Sequence, residues 1–315
     1  MKKRVKLLAW TLALSLLCAC TAESPAPTET PNTPAPVETP AATPFVFTRE
    51  NFPTLDGSTA TVPLAQAVAS VLLGESREEI KDLISFSKTT ESYYNLIAGG
   101  ADLLVVAEAS PDVADWAKEQ NVALVSQPVA AEALVFLVNE DNPVDSLTAQ
   151  QVRDIYSGKI TNWSEVGGED RPITAFQRNE NSGSQIIMEK EVMGDTPMAQ
   201  APTGYVVSEM GALMEAVRGY DGSPGAIGYS VYYYANDMNM ADGLKLLKID
   251  GVTPEAKTIR AEEYPLRTYY YAVRRADAAA DSPAAILFDW LLGEEGQKLV
   301  NHEGYVSVLD VENAS

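Results

Sequence analysis

The chain has 315 residues, 46% apolar and 21% charged, a globular balance with ample length for a sizeable core. Lys and Arg total 23 against 44 Asp and Glu, a net charge of −21, and no basic stripe is present, which argues against a nucleic-acid partner. One histidine, His302, and two cysteines, Cys18 and Cys20, leave no material for a disulfide framework, a Cys/His metal site or a His-based triad, so no metal and no cofactor is expected.

The chain begins with an address. Lys2, Lys3, Arg4 and Lys6 precede an apolar run over 7–17, too short for a permanent membrane span. Leu17-Cys18-Ala19-Cys20 then resembles a bacterial lipobox. The small Ala19 before Cys20 makes Cys20 the lipidated residue and 1–19 the signal peptide, whereas Cys18 follows Leu17 and does not fit. Removing 1–19 takes away cations and no anions, so the mature chain is more acidic still. Residues 20–44 intersperse Pro25, Pro27, Pro31, Pro34, Pro36, Pro40 and Pro44 with Thr and Ala and predict a disordered, semi-extended tether. An anchor, a leash and a soluble body suggest an extracytoplasmic receptor or enzyme.

In the body, 45–315, the polar cluster from Asp56 to Thr59 opens a predicted helix over 62–73. Thr89-Thr90 opens another over 91–98, stopped by Gly99-Gly100. A buried strand over 103–107, a helix over 113–120 and strands over 123–126 and 133–139 follow. A helix over 148–156, a strand over 173–176 and helices over 185–192 and 208–217 come next. Strands over 226–229 and 269–273 and helices over 283–292 and 296–300 complete the chain. Tyr232–Tyr234 reads as strand packing. The alternation predicts an α/β fold of two lobes, each a central sheet flanked by helices. The chain crosses between them near 133–139 and 268–273. One lobe takes 45–134 plus 273–315, and the other takes 135–272.

Three polar clusters stand at helix starts: Asp56 to Thr61, Thr89-Thr90, and Arg178 to Ser184. Hydroxyls and free N–H groups at a positive helix end form a recipe for holding a tetrahedral oxyanion without a basic protein. Gly57 and Gly183 let backbone approach the ligand closely. Plain N-capping is the ordinary explanation of any single cluster, and it is the three together, one with Arg178 beside Ser182-Gly183-Ser184, that favour a site. Glu108, at the C-terminal edge of the 103–107 strand, is either a loop acid or a site carboxylate. In the second case it accepts a ligand proton, which favours partly protonated phosphate over sulfate.

The segment 147–167, from Leu147 through Tyr156-Ser157-Gly158 to Asn162-Trp163-Ser164 and Gly167, closely resembles a signature of phosphate ABC transporter substrate-binding proteins. Gly57-Ser58-Thr59, Arg178 with Ser182-Gly183-Ser184, Gly225 to Tyr229, Tyr264-Pro265-Leu266 and Glu295 to Val300 match in order. The resemblance implies a type II periplasmic-binding-protein fold whose lobes close on one phosphate at a hinge. By position it places ligand contacts at Ser58, Thr59 and Ala60, extending to Thr61, at Thr89 or Thr90, and at Arg178, Ser182, Gly183 and Ser184. It makes Glu180 the carboxylate that pairs with Arg178. The family's usual Asp becomes Glu108 only through a one-residue insertion, and Asn181 replaces a Gly, a substitution that tolerates positive φ.

The resemblance implies a monomeric receptor, not an enzyme, that delivers inorganic phosphate to an ABC permease and touches the membrane only through its lipid. The alternatives are a same-fold module for another oxyanion or for signalling, and a surface phosphoester hydrolase, which lacks His and metal ligands. Ser85 and Lys88 match an S-x-x-K element, but the companion S-D-N and K-T-G elements are missing.

Overall fold

The computed structural model describes residues 45–220, 224–238 and 242–311. The signal segment, Cys20 and the tether to residue 44 lie outside the described residues.

The first run of the chain is β1 (Leu55–Gly57), α1 (Val62–Leu73), α2 (Thr89–Ala98), β2 (Leu103–Val106), α3 (Pro111–Glu119) and β3 (Leu124–Asn139). Helix α1 has the predicted bounds. Pro63 sits in its first turn, Gly74 at φ 67° ends it, and Leu64, Ala65 and Val68 are buried. Strand β2 is apolar throughout and buried throughout, as a strand covered on both faces must be. It pairs parallel with β1, which carries Gly57 alongside Val105.

The middle of the chain holds β4 (Ser146–Leu147), α4 (Ala149–Tyr156), β5 (Thr174–Ala175), β6 (Gln177–Arg178), α5 (Gly183–Ile187), β7 (Val206–Val207), α6 (Met210–Gly219), β8 (Ala226–Val231) and α7 (Tyr232–Asn236). A capping box between Thr148 and Gln151 starts α4. Helix α5 passes directly into a π-type segment, Met188–Met193, so the helical run is longer at both ends than predicted. The tyrosines of 232–234 are buried but helical, a correction to the strand reading. β-Preference lost here to the turn that follows β8.

The last run is β9 (Leu244–Leu246), β10 (Lys248–Ile249), α8 (Ala256–Arg260), β11 (Arg267–Arg275), α9 (Pro283–Leu292), α10 (Glu294–His302) and β12 (Val306–Ser307). An eight-stranded sheet runs β1-β2-β11-β3-β8-β5, with β12 and β9 also on β3. The pairs β4–β10 and β6–β7 stand apart.

Strand β3 organises the molecule. The sequence reads as two strands there, because Gln127 and Pro128 interrupt the apolar pattern. The structure makes one strand of 16 residues. Pro128 lies opposite Tyr271 where the β3–β11 register shifts, a bulge that tolerates its missing N–H. The N-terminal part of β3 pairs with β11 as far as Ala133, and Leu134–Val138 pairs with β8. One apolar core runs beneath both parts, from Leu64 and Val105 through Phe136 to Ile227 and Tyr229. A second cluster, with Tyr93, Leu104, Val113 and Val273, holds α2 and α3 to the sheet.

Candidate functional site

A cavity of about 340 Å³ opens between the helix starts that precede β3 and those that follow it. Ser58, Thr59, Ala60, Thr89, Thr90, Arg178, Glu180, Ser182, Gly183 and Ser184 line it, so residues more than a hundred positions apart meet.

The first wall follows from Gly57. A Cβ there would stand 1.9 Å from the Val105 carbonyl oxygen, so only glycine lets β1 leave the sheet this closely. The chain then turns at Ser58, whose hydroxyl makes no cap bond to its own helix turn. Instead Ser58 Oγ accepts from the Ala107 N–H at 2.9 Å and shares a 2.9 Å hydrogen bond with Thr89 Oγ1. Thr61 does not line the cavity. It is fully buried, and its hydroxyl donates to the carbonyls of Ser58 and Val105, which makes it a strut behind the turn.

Thr89 and Thr90 start α2 after Lys88, which takes φ 75°. That left-handed residue had no signal in the sequence. Thr90 Oγ1 donates to the Asn181 carbonyl at 2.6 Å, across to the opposite wall. Asn181 adopts φ 62°, in the left-handed region that asparagine tolerates.

The second wall is built on Arg178, which is 7% exposed. The Tyr229 hydroxyl accepts from its backbone N–H at 2.9 Å. The guanidinium donates to the Val207 carbonyl at 3.0 Å, to Ser184 Oγ at 3.0 Å and to the Ser208 carbonyl at 2.9 Å. Burial pulls its pKa below the usual guanidinium value. Glu180 is exposed and is not among the partners of Arg178, and no other described carboxylate forms an ion pair with it. The expected Arg178–Glu180 pair is therefore replaced by carbonyls and a hydroxyl. Ser182, at the start of α5, makes no cap bond, and its buried hydroxyl has no partner among the described residues. Gly183 faces Thr89 so closely that a Cβ would lie 2.6 Å from Thr89 Oγ1.

Glu108 is also absent from the lining. Its carboxylate accepts from Lys190 Nζ at 2.6 and 2.9 Å, outside the cavity, and Ala107 takes the inner position. Lys88 and Glu209 form a second ion pair across the cavity mouth at 2.6 Å. Sequence reasoning missed Ala107, Lys88, Ser208, Glu209 and Tyr270. Lys88 figured only in the S-x-x-K match, the others belong to no recognisable motif, and the Ser208 contribution is a backbone carbonyl.

Hydroxyls, helix-start N–H groups and one buried cation converging on a small cavity define a receptor for a small anion, in a two-lobe α/β fold. A profile of the PBP superfamily domain matches residues 41–295, and the chain belongs to that superfamily. Among its relatives, the phosphate-binding protein PstS of Bacillus subtilis is 29% identical over 266 residues, covering 82% of this chain and 81% of the relative. PstS of Staphylococcus aureus strain USA300 is 25% identical over 262 residues, covering 80% and 77%. An ABC-type phosphate transport receptor from Vibrio cholerae superposes with TM-score 0.60 at 25% identity, over 80% of this chain and 98% of that one. A Clostridium perfringens protein solved with bound phosphate gives TM-score 0.64 at 24% identity, over 81% and 98%.

Proposed function

We propose that the chain is an extracytoplasmic receptor that binds inorganic phosphate and delivers it to an ABC permease. The buried Arg178 carries the reading. A guanidinium withdrawn from water without a carboxylate is costly unless an anion completes it. Five N–H donors are available on the side chain, and three are engaged. That leaves one on each terminal nitrogen, a fork suited to two oxygens of a tetrahedral anion. One hydroxyl of the Ser58–Thr89 pair, those of Ser182 and Ser184, and the helix-start N–H groups of Thr59, Ala60 and Gly183 supply further donors.

The body works as two lobes turning about β3 and β11. Ligand-bridged donors from both walls stabilise the closed arrangement, and release follows opening. Nothing in this cycle makes or breaks a covalent bond, so the protein is a receptor and not an enzyme. Cys20, lipidated, anchors a monomer to the membrane, and 20–44 is its leash. Isothermal titration of the full chain with phosphate tests the reading. Binding at micromolar ligand is expected, and absence of heat at millimolar phosphate refutes it.

A further inference from the structure

One buried carboxyl stands behind the anion cavity without lining it. Glu132 is 1% exposed and lies on β3 opposite Thr268, where the strand leaves β11 for β8. It accepts from the Ala133 N–H at 2.8 Å and from the Tyr233 N–H at 3.3 Å. Tyr233 comes two residues after Val231, which lines the cavity. Tyr270, on β11, lines the cavity as well, and the charge of Glu132 acts on its hydroxyl. Tyr305 stacks on Tyr233 with ring centroids 3.6 Å apart and meets Tyr270 edge-on at 6.1 Å. Its hydroxyl donates to the Ala60 carbonyl at 2.6 Å, in the first wall of the cavity. A single layer of side chains thus separates the carboxyl from the place of the anion.

The titratable groups around Glu132 are Tyr232, Tyr233, Tyr270 and Tyr305, and no described lysine or arginine forms an ion pair with it. Beyond those tyrosines stand the acids Asp237, Glu255 and Glu303, and Arg77, which is held by Glu303. Arg178 acts on Tyr229 and Tyr234 instead. Burial without a counter-ion raises the carboxyl from 4.5 to about 7, and the backbone N–H groups offset only part of that rise. Glu132 is therefore divided between neutral and charged forms near neutral pH. A bound anion adds a second negative charge in the same poorly screened interior and favours the neutral form.

We propose that the cleft is proton-linked: an anion in the cavity and a charge on Glu132 oppose one another, so binding draws a proton onto Glu132 and phosphate affinity falls as pH rises past neutrality. Below about pH 6 the carboxyl is neutral with and without ligand and costs nothing. Above about pH 8 the free protein carries a charge that the bound protein must neutralise or bear. A coupling of one pK unit is worth about tenfold in affinity. The inference rests on the phosphate reading above.

The test compares wild type with Glu132→Gln in calorimetric titrations of the full chain with phosphate from about pH 5.5 to about pH 9. The ionisation of phosphate itself affects both proteins alike, so the ratio of their dissociation constants isolates Glu132. Equal affinities are expected at the acid end, and a wild type about tenfold weaker at the alkaline end. A ratio that changes less than about threefold, or in the opposite sense, overturns the inference and leaves the phosphate reading intact. No binding by the wild type at any pH overturns both. If the variant does not fold, infrared spectra of the wild type decide. The band of the protonated buried carboxyl is expected to persist to a pH about one unit higher with phosphate than without. The same midpoint in both conditions overturns the inference.

Discussion

Arg178→Ala separates ligand binding from folding. The guanidinium is 7% exposed and gives three hydrogen bonds to Val207, Ser184 and Ser208, with two donors left for a ligand. A hydrogen bond involving a charged group is worth roughly 1.5–3 kcal/mol. Losing one costs at least about tenfold in Kd, and losing two at the lower figure costs about 3 kcal/mol, or roughly 150-fold. The ligand-free protein responds differently. It loses three internal hydrogen bonds worth roughly 1.5–3 kcal/mol each but sheds an unpaired buried charge whose desolvation costs several kcal/mol. The two effects oppose each other, so the urea midpoint without ligand should move little while phosphate affinity collapses. Arg178→Lys keeps the charge without the planar fork and should fall between. Titration calorimetry and urea unfolding on the same preparations read both quantities. An unchanged Kd in Arg178→Ala refutes the placement of the site. A loss of ligand-free stability as large as the loss of affinity would make the arginine structural.

Gly183→Ala would push a Cβ to 2.6 Å from Thr89 Oγ1 and 3.4 Å from the Ala107 methyl, so the walls cannot approach as they do now. Phosphate affinity should drop by at least about tenfold, and unaltered binding in calorimetry would show that the walls need not meet there. Lys190→Ala and Glu108→Ala each remove a partly exposed ion pair outside the cavity, with side chains 54% and 34% exposed. Each should weaken phosphate by less than about fivefold, with a smaller effect in high salt. A larger loss from Glu108→Ala than from Lys190→Ala would return Glu108 to the ligand. Glu132 is wholly buried, and burial raises its carboxyl from 4.5 to about 7. The folded state then holds this proton more tightly than the unfolded state, so the contribution to stability falls as pH rises from about 4.5 to about 7 and stays lost above. Relative to Glu132→Gln, the wild type should lose on the order of 3 kcal/mol between about pH 5 and pH 8 in urea unfolding. Parallel pH profiles would contradict this.

The helices were legible in the sequence because their causes are local. The Thr148 cap, the Pro63 start and the Gly74 stop act within a turn, and α1 and α9 keep their predicted bounds. The apolar runs likewise marked β2 and the second part of β3. The polar clusters at 58–60, 89–90 and 182–184 could be named because helix starts leave donors unpaired wherever they occur. Which of those donors meet was decided by the sheet. Parallel pairing of β1 with β2 sets Gly57 against Val105, and the long antiparallel β3 joins one set of helix starts to the other. Strand register also decided the two carboxylates. A one-residue step at the end of β2 leaves Ala107 facing the cavity and sends Glu108 to Lys190, since neighbouring residues of an extended chain point opposite ways. Arg178 found the Val207 and Ser208 carbonyls and Ser184 in place of Glu180, contacts that depend on where β7 lies beside β6. The sequence by itself determined which chemical groups were available for an anion. Tertiary packing determined which of those groups face the cavity, because facing is a property of register and not of composition.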